Sequence, residues 1–143
     1  MKSASDPLYV TQFLAPAVIV HGLEHACAAL APGLPVTLLS APGVALAGGC
    51  GWWQALVRKA RQAAPNTPFA DILDCADAPG MAMAALRLKQ GILRLDGTSP
   101  AFPAVARAAV AQGAVLLPSA PPALDLALRR NLPRIAQHLR NAA

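Results

Sequence analysis

The chain has few charged and few aromatic residues. Of its 143 residues, 13% are charged and 4% are aromatic, whereas 55% are hydrophobic. A disordered chain has the opposite balance, so disorder is excluded. Three cysteines are too few for a disulfide-stapled miniprotein, and a full (β/α)₈ barrel needs about 250 residues. We therefore expect one globular α/β domain that spans residues 1–143.

The cysteines and the N-terminus carry no sign of export. Cys27, Cys50 and Cys75 are odd in number and form no C-x-x-C motif, which favours a reducing compartment. The first residues lack the pattern of a signal peptide. Prolines and glycines interrupt the uncharged stretch 26–53, so it offers no window of about 20 helix-compatible residues. We predict a cytoplasmic protein with no membrane partner.

Charge is sparse and uneven along the chain. The net charge is +5, but no run of Lys or Arg occurs and no aromatic residues alternate with the basic ones, so no nucleic-acid partner is expected. From Pro7 to Val57 the only formally charged side chain is that of Glu24. Exposed apolar surface in this part of the chain would favour self-association, and we predict a homo-oligomer.

Short apolar runs alternate with helical patterns along the chain. Five runs read as strands, at residues 17–20, 36–40, 69–73, 92–95 and 114–117. Helices separate them and no hairpin signal occurs, so the strands are expected to be parallel. We predict a three-layer α/β sandwich around a mainly parallel five-stranded sheet, flavodoxin-like or Rossmann-like, with the strand order 2-1-3-4-5.

Several local expectations accompany this fold. Gly33, Gly91 and Gly113 each separate a helix from a strand, and each is expected to be a left-handed helix terminator. Asp77 and Ser99 are expected to cap helices. Two further expectations are that residues 122–140 form a helix that Pro133 breaks or kinks, and that Asp71 faces Arg94 across two neighbouring strands if they pair.

Ligands of open parallel sheets bind beyond the carboxyl ends of the strands. The candidate catalytic residues at these ends are His21, Asp74, Cys75 and Asp96. The candidate ligand-binding residues there are Ser40, Gly48, Gly49, Cys50, Gly51, Asp77, Thr98 and Ser99. A plain structural role as polar loop residues is the alternative for all of them.

The glycine-rich segment Gly43–Gly51 opens a helix without a Ser, Thr, Asp or Asn cap. Its free backbone N–H groups could hold a small anion, and a flexible turn is the alternative. The Lys of a P-loop is absent, which excludes hydrolysis of nucleoside triphosphates. Cys50 at the helix start is either a reactive thiol or an inert, partly buried one.

Metal binding has two weak signals. His21, Glu24 and His25 match the H-x-x-E-H order, but Gly22 follows His21 at a strand end, whereas the motif needs one continuous helix. Asp74, Asp77 and Asp96 could gather at neighbouring strand ends and bind Mg²⁺, although a cap and a turn explain two of them. We predict no metal site.

The sequence supports two main functional hypotheses. The first is a domain that binds a small molecule or anion at the carboxyl ends of the strands. The second is a self-assembling or regulatory module without catalysis, and a metal-dependent hydrolase is a minor third alternative. No enzymatic activity and no cofactor is assigned from the sequence.

Overall fold

The computed structural model describes residues 14–141. Its strands are β1 (Ala17–Val20), β2 (Val36–Ser40), β3 (Phe69–Asp74), β4 (Ile92–Arg94), β5 (Val115–Leu117) and β6 (Ala123–Asp125). Its α-helices are α1 (Leu23–Leu30), α2 (Val44–Ala47), α3 (Cys50–Ala63), α4 (Pro79–Arg87), α5 (Phe102–Ala111) and α6 (Ile135–Arg140). A 3₁₀ helix, Arg129–Arg134, precedes α6.

The six strands form one parallel sheet in the order β5-β4-β3-β2-β1-β6. The predicted α/β fold with a parallel sheet flanked by helices is confirmed, and it is consistent with a flavodoxin-like or Rossmann-like three-layer fold. The predicted count of five strands is wrong by one. The predicted order 2-1-3-4-5 is also wrong, because each of the first five strands lies beside the next one in the chain, which keeps every crossover short.

The sixth strand lies where the sequence predicted the beginning of a helix. Ala123–Asp125 pairs with β1, so the helix predicted over residues 122–140 is wrong in its first half. That helix was expected because Leu124, Leu128, Leu132, Ile135 and Leu139 recur at helical spacing and would form one apolar face. Two of these leucines, Leu128 and Leu132, are instead 46% and 38% exposed. Pro133 lies inside the 3₁₀ helix, and α6 begins only after it. A helical spacing of leucines therefore concealed a short strand.

The connection between β5 and β6 implies a curved sheet. These strands lie at opposite edges, yet only residues 118–122 join them. In a flat sheet, five gaps of about 4.8 Å would separate them by about 24 Å. The steps from Leu117 to Ala123 span about 21 Å when fully extended, and the chain must also return from the carboxyl edge to the amino edge. The sheet therefore curves so that its edge strands approach each other.

Apolar side chains cover both faces of the sheet. The larger cluster joins the helices to one face, and Trp53 of α3 is fully buried within it. On the other face, Leu39, Ile72 and Leu117 belong to a second buried cluster. Parallel strands that are buried on both sides are expected to be apolar throughout. Polar groups are consequently concentrated at the two edges where the strands begin and end.

Some local predictions need correction. The glycine-rich segment Gly43–Gly51 is not a turn throughout, because it contains the short helix α2. The N-caps of α4 and α5 are Ala78 and Ala101, without a side-chain hydrogen bond, so the caps predicted at Asp77 and Ser99 are wrong. Both helices have a proline in their first two positions, where a missing N–H leaves one donor fewer to satisfy.

Candidate functional site

A cavity of about 400 Å³ opens at the amino edge of the sheet. Helix α3 runs back from the carboxyl edge to the amino edge and lines one side, and the turn before β4 lines the other. We call this site the amino-edge cavity. Its polar and charged lining includes Gln54, Arg58, Arg61, Asp71, Lys89 and Gln90. Its volume is within the range of small-molecule sites, about 300–1,000 Å³.

Asp71 of β3 is a half-buried carboxylate in the amino-edge cavity. Trp53 Nε1–H and Gln90 Nε2–H each donate to Asp71 Oδ2 over 2.9 Å. Gln90 is 4% exposed, so this support is rigid. The pairing predicted between Asp71 and Arg94 is wrong, because the register places Asp74 opposite Arg94.

The turn from α4 to β4 carries Lys89 and Gln90 into the amino-edge cavity. Lys89 has a left-handed backbone with φ of 65°, a conformation that costs a non-glycine residue about 1 kcal/mol. Gly33 and Gly113 are left-handed, as predicted, with φ of 71° and 74°. The prediction for Gly91 is wrong, because Lys89 reverses the chain two residues earlier. The left-handed backbone of Lys89 thus brings its cationic side chain to the cavity.

Three cationic side chains line the amino-edge cavity, namely those of Arg58, Arg61 and Lys89. All three residues are exposed. The guanidinium carbon of Arg61 lies 4.2 Å from the ring centroid of Phe69, and this cation–π contact restrains it. Within residues 14–141, neither these cations nor Asp71 takes part in an ion pair. The cavity therefore contains three cationic groups and one carboxylate, none of which has an ionic partner among these residues.

His21 and Asp125 form a close pair at the opposite, carboxyl edge, where β1 and β6 are neighbours. His21 Nε2 lies 2.7 Å from Asp125 Oδ1, which also accepts the N–H of Ala127 over 2.9 Å. Burial raises the pKa of Asp125, but the hydrogen bonds from Ala127 and His21, together with the charges of His21 and His25, outweigh it and leave the pKa below its ordinary value. The strand that the sequence missed thus supplies the partner of a predicted catalytic histidine.

The two histidines of the H-x-x-E-H match also lie near each other. Their ring centroids are 5.6 Å apart, and the His21 N–H donates to His25 Nδ1 over 3.2 Å. His21 precedes α1 and does not lie on it, so the helical arrangement that the motif needs is absent. In the part of the chain that the structure describes, no group of three or more His, Cys, Asp or Glu side chains could hold a metal ion.

Asp74 and Ser40, both predicted site residues, come together in the interior. Asp74 is 1% exposed. Arg94 Nη1 lies 3.2 Å from Asp74 Oδ1, which also accepts the N–H of Ala76 over 2.8 Å. The Asp74 N–H in turn donates to Ser40 Oγ over 2.8 Å. Both side chains are therefore engaged in holding the ends of β2, β3 and β4 together.

Cys75 and Cys50 are buried thiols near the same edge. Burial, followed by the neighbouring Cys50 and Asp74, raises the pKa of Cys75 to about 12. Burial also raises the pKa of Cys50, although its backbone hydrogen bond and Arg87 oppose this. Both thiols are therefore protonated near neutral pH, whereas a nucleophile needs the thiolate.

Asp96 makes the turn that follows β4. Its Oδ1 accepts the backbone N–H and the hydroxyl group of Thr98, each over 2.9 Å, and these bonds lower the pKa of Asp96. This is an Asx turn. Ser99 follows within the same loop, where the Ser99 N–H donates to the backbone oxygen of Asp96. Asp77 is exposed at the beginning of α4.

The glycine-rich segment leads into α3 at the carboxyl edge. Gly49 is the N-cap, with φ of 81° and no side-chain cap. Cys50 and Gly51 are the first residues of the helix. A Cβ atom on Gly48 would lie 3.3 Å from the Trp52 ring, so this glycine allows close packing. Anion binding at the helix start stays a prediction.

The sequence-based interpretation missed the amino-edge cavity because it considered only the carboxyl ends of the strands. Two signals were present. Arg58 and Arg61 are three residues apart and so share one face of a helix. Asp71 interrupts an otherwise apolar strand, where a charge needs partners. Their convergence with Lys89 needs the pairing of β3 with β4, which the predicted order contains and the structure confirms. It also needs α3 to lie against this pair of strands, which the sequence did not determine.

Comparison with known proteins assigns no family. No protein-family model matches the chain, and no curated protein is similar to it in sequence. Among the helices within residues 14–141, none has the length and hydrophobicity needed to cross a membrane. The function must therefore be argued from the site itself.

Proposed function

We propose that the protein binds a small anionic molecule in the amino-edge cavity. The observation that carries this proposal is the convergence of Arg58, Arg61 and Lys89 on one cavity of about 400 Å³. Within the described residues, no carboxylate forms an ion pair with any of them. The location expected from the sequence, at the carboxyl ends of the strands, stays an untested prediction.

The chemistry of the three side chains favours carboxylate or phosphate groups. A guanidinium group presents paired N–H donors that match two oxygens of such an anion, and an ammonium group adds a compact positive charge. Arg58 lies one helical turn before Arg61 on α3, and Lys89 belongs to the turn on the other side. An anion between them would contact donors from both walls of the cavity.

Calorimetric titration at low salt tests the proposal with a panel of small anions: inorganic phosphate, citrate, succinate and glutarate. We expect at least one of them to bind. Replacing Arg58 by Gln should weaken that binding about tenfold, because a charge-assisted hydrogen bond is lost.

Arg107→Gln is the matched control. Arg107 is an exposed arginine of α5 and does not line the amino-edge cavity, so its loss removes the same charge elsewhere. Binding that weakens equally in both variants would show a nonspecific effect of net charge. If neither these anions nor their amino-substituted analogues bind, the proposal is overturned.

Self-association is a second candidate function, and one surface favours it. Leu23, Leu46 and Trp52 are 39%, 58% and 40% exposed, and they belong to the stretch of the chain in which Glu24 is the only formally charged residue. Leu23 and Trp52 lie together beside Lys59, and exposed apolar side chains such as these favour contact with a second copy of the chain. Light scattering coupled to size exclusion should then give a multiple of 14.7 kDa, and Trp52→Ser should shift it toward the monomer. A monomeric parent protein would exclude this candidate.

A further inference from the structure

The amino-edge cavity has an acceptor side as well as a donor side. Asp71 uses Oδ2 for the two hydrogen bonds from Trp53 and Gln90. Its second oxygen, Oδ1, accepts no hydrogen bond from any described residue, and Asp71 lines the cavity. The carboxylate is therefore fixed through Oδ2, while Oδ1 has no donor among the described residues.

The two glutamines of the cavity add acceptors beside Asp71. Gln54 Nε2 donates to the backbone oxygen of Leu88 over 2.8 Å, and Gln90 Nε2 donates to Asp71 and to the backbone oxygen of Ile92. Gln90 thus uses both N–H groups and keeps its carbonyl oxygen as an acceptor, whereas Gln54 keeps one N–H donor as well as its carbonyl oxygen. The wall around Asp71 thus offers oxygen acceptors, whereas Arg58, Arg61 and Lys89 offer donors.

We infer that the ligand of this cavity is an acidic amino acid or a close relative, with an ammonium group beside its carboxylates. This inference rests on the proposed function and names the class of its ligand. A purely anionic ligand would place its charge near the Asp71 carboxylate, and like charges at short range repel. An ammonium group removes that repulsion, and its three N–H donors fit Asp71 Oδ1 and the glutamine oxygens.

The balance of charge in the cavity selects the acidic members of this class. Three cations face one carboxylate, since Arg58, Arg61, Lys89 and Asp71 all line the cavity. A ligand with two carboxylates and one ammonium group complements this ratio better than a neutral amino acid does. The structure thus assigns the ammonium group to the side of Asp71 and the carboxylates to the arginines and Lys89.

The matched pair L-glutamate and glutarate tests the inference, because the two share a carbon skeleton and both carboxylates and differ in the ammonium group. In calorimetric titrations of the full chain, L-glutamate should bind at least tenfold more tightly than glutarate. Asp71→Asn should abolish this preference and leave glutarate binding unchanged or stronger. The Asn side chain still offers an oxygen to Trp53 and Gln90, so the cavity should keep its shape.

Asp125→Asn is the control, because it makes the same change at the carboxyl edge and should keep the preference for L-glutamate. If glutarate binds the parent protein as tightly as L-glutamate, the inference is overturned while the anion proposal stands. The same conclusion holds if only other anions of the panel bind. If no member of either set binds, both fail. Since the first comparison uses the unmodified chain, it decides the inference even if Asp71→Asn does not fold.

Discussion

The two edges of the sheet treat their charged side chains differently. At the carboxyl edge two carboxylates are paired, Asp74 with Arg94 and Asp125 with His21, whereas Asp77 and Asp96 form no ion pair within residues 14–141. At the amino edge, the cations that line the cavity and Asp71 form no ion pair within residues 14–141. The ion pairs of the first edge hold strand ends together, whereas the charged groups around the cavity at the second edge have no ionic partner among these residues.

This difference bears on how a site is located in a parallel sheet. Both faces of the sheet are apolar, so polar groups collect at both edges whatever their role. The preference of ligands for the carboxyl edge is a tendency of open α/β folds. Here three cations without a carboxylate partner among residues 14–141 lie at the amino edge together with a cavity. Within the same residues, the buried side-chain atom without a hydrogen-bond partner, Arg94 Nε, lies at the carboxyl edge. The cavity and its unpaired cations therefore locate the candidate site, and not a general lack of unsatisfied groups at the carboxyl edge.

The largest effect should come from breaking the buried pair at the carboxyl edge. Asp74→Ala leaves the partly buried Arg94 without a counter-charge and removes the acceptor of the Ala76 N–H. We expect the free energy of unfolding to fall by about 3 kcal/mol, measured by urea denaturation. Arg58→Gln, at the amino edge, should change it by less than about 0.5 kcal/mol. Equal losses in the two variants would contradict the division of roles between the edges.

Much of the fold could be predicted from the sequence because the hydrophobic periodicity and composition of a short segment largely determine which element it forms. The apolar runs that form β1 and β2 have the predicted bounds, and the stripe Trp53, Leu56, Val57 and Ala60 of α3 is buried as its helical spacing indicates. These features depend on neighbours within one element. Strand order and the sixth strand depend on contacts between distant segments. In addition, Leu124 of the sixth strand begins a series of leucines at helical spacing, which predicts a helix instead of a strand.

The candidate site was less predictable for the same reason. The sequence identified Asp74, His21 and Asp96 as polar residues at the carboxyl edge, and the structure places them there. It could not show that their partners, such as Asp125, satisfy them. The amino-edge cavity needs α3, β3 and the turn at Lys89 together, and only the tertiary arrangement brings these segments into contact.

Replacing Lys89 by Gly should have a smaller effect, which raises stability but weakens anion binding. Lys89→Gly should raise the free energy of unfolding by about 1 kcal/mol, because glycine adopts the left-handed backbone without strain. It should also weaken anion binding, because the ammonium group is lost. Lys89→Gln keeps the strain, so it should weaken binding without the gain in stability. Denaturation and titration of the two variants separate strain from charge, and a stabilised Lys89→Gln would contradict this explanation.

The smallest effect should come from the exposed pair at the carboxyl edge. The His21 and Asp125 side chains are 34% and 40% exposed, so Asp125→Asn should lower the free energy of unfolding by less than about 1 kcal/mol at pH 6.

The penalty for Asp125→Asn should depend on pH. The folded-state pKa of Asp125 is below its ordinary value. Its stabilising effect is therefore present above the unfolded-state pKa and is lost as the pH falls through the folded-state value. The difference between parent and variant should therefore begin to shrink below about pH 4, as urea denaturation at pH 6 and pH 3 will show. Asp77→Asn, at an exposed aspartate of the same edge, should change stability at neither pH. A penalty for Asp125→Asn that is as large at pH 3 as at pH 6 would mean that Asp125 acts through its shape, and the pairing of charges would then distinguish the two edges only at Asp74.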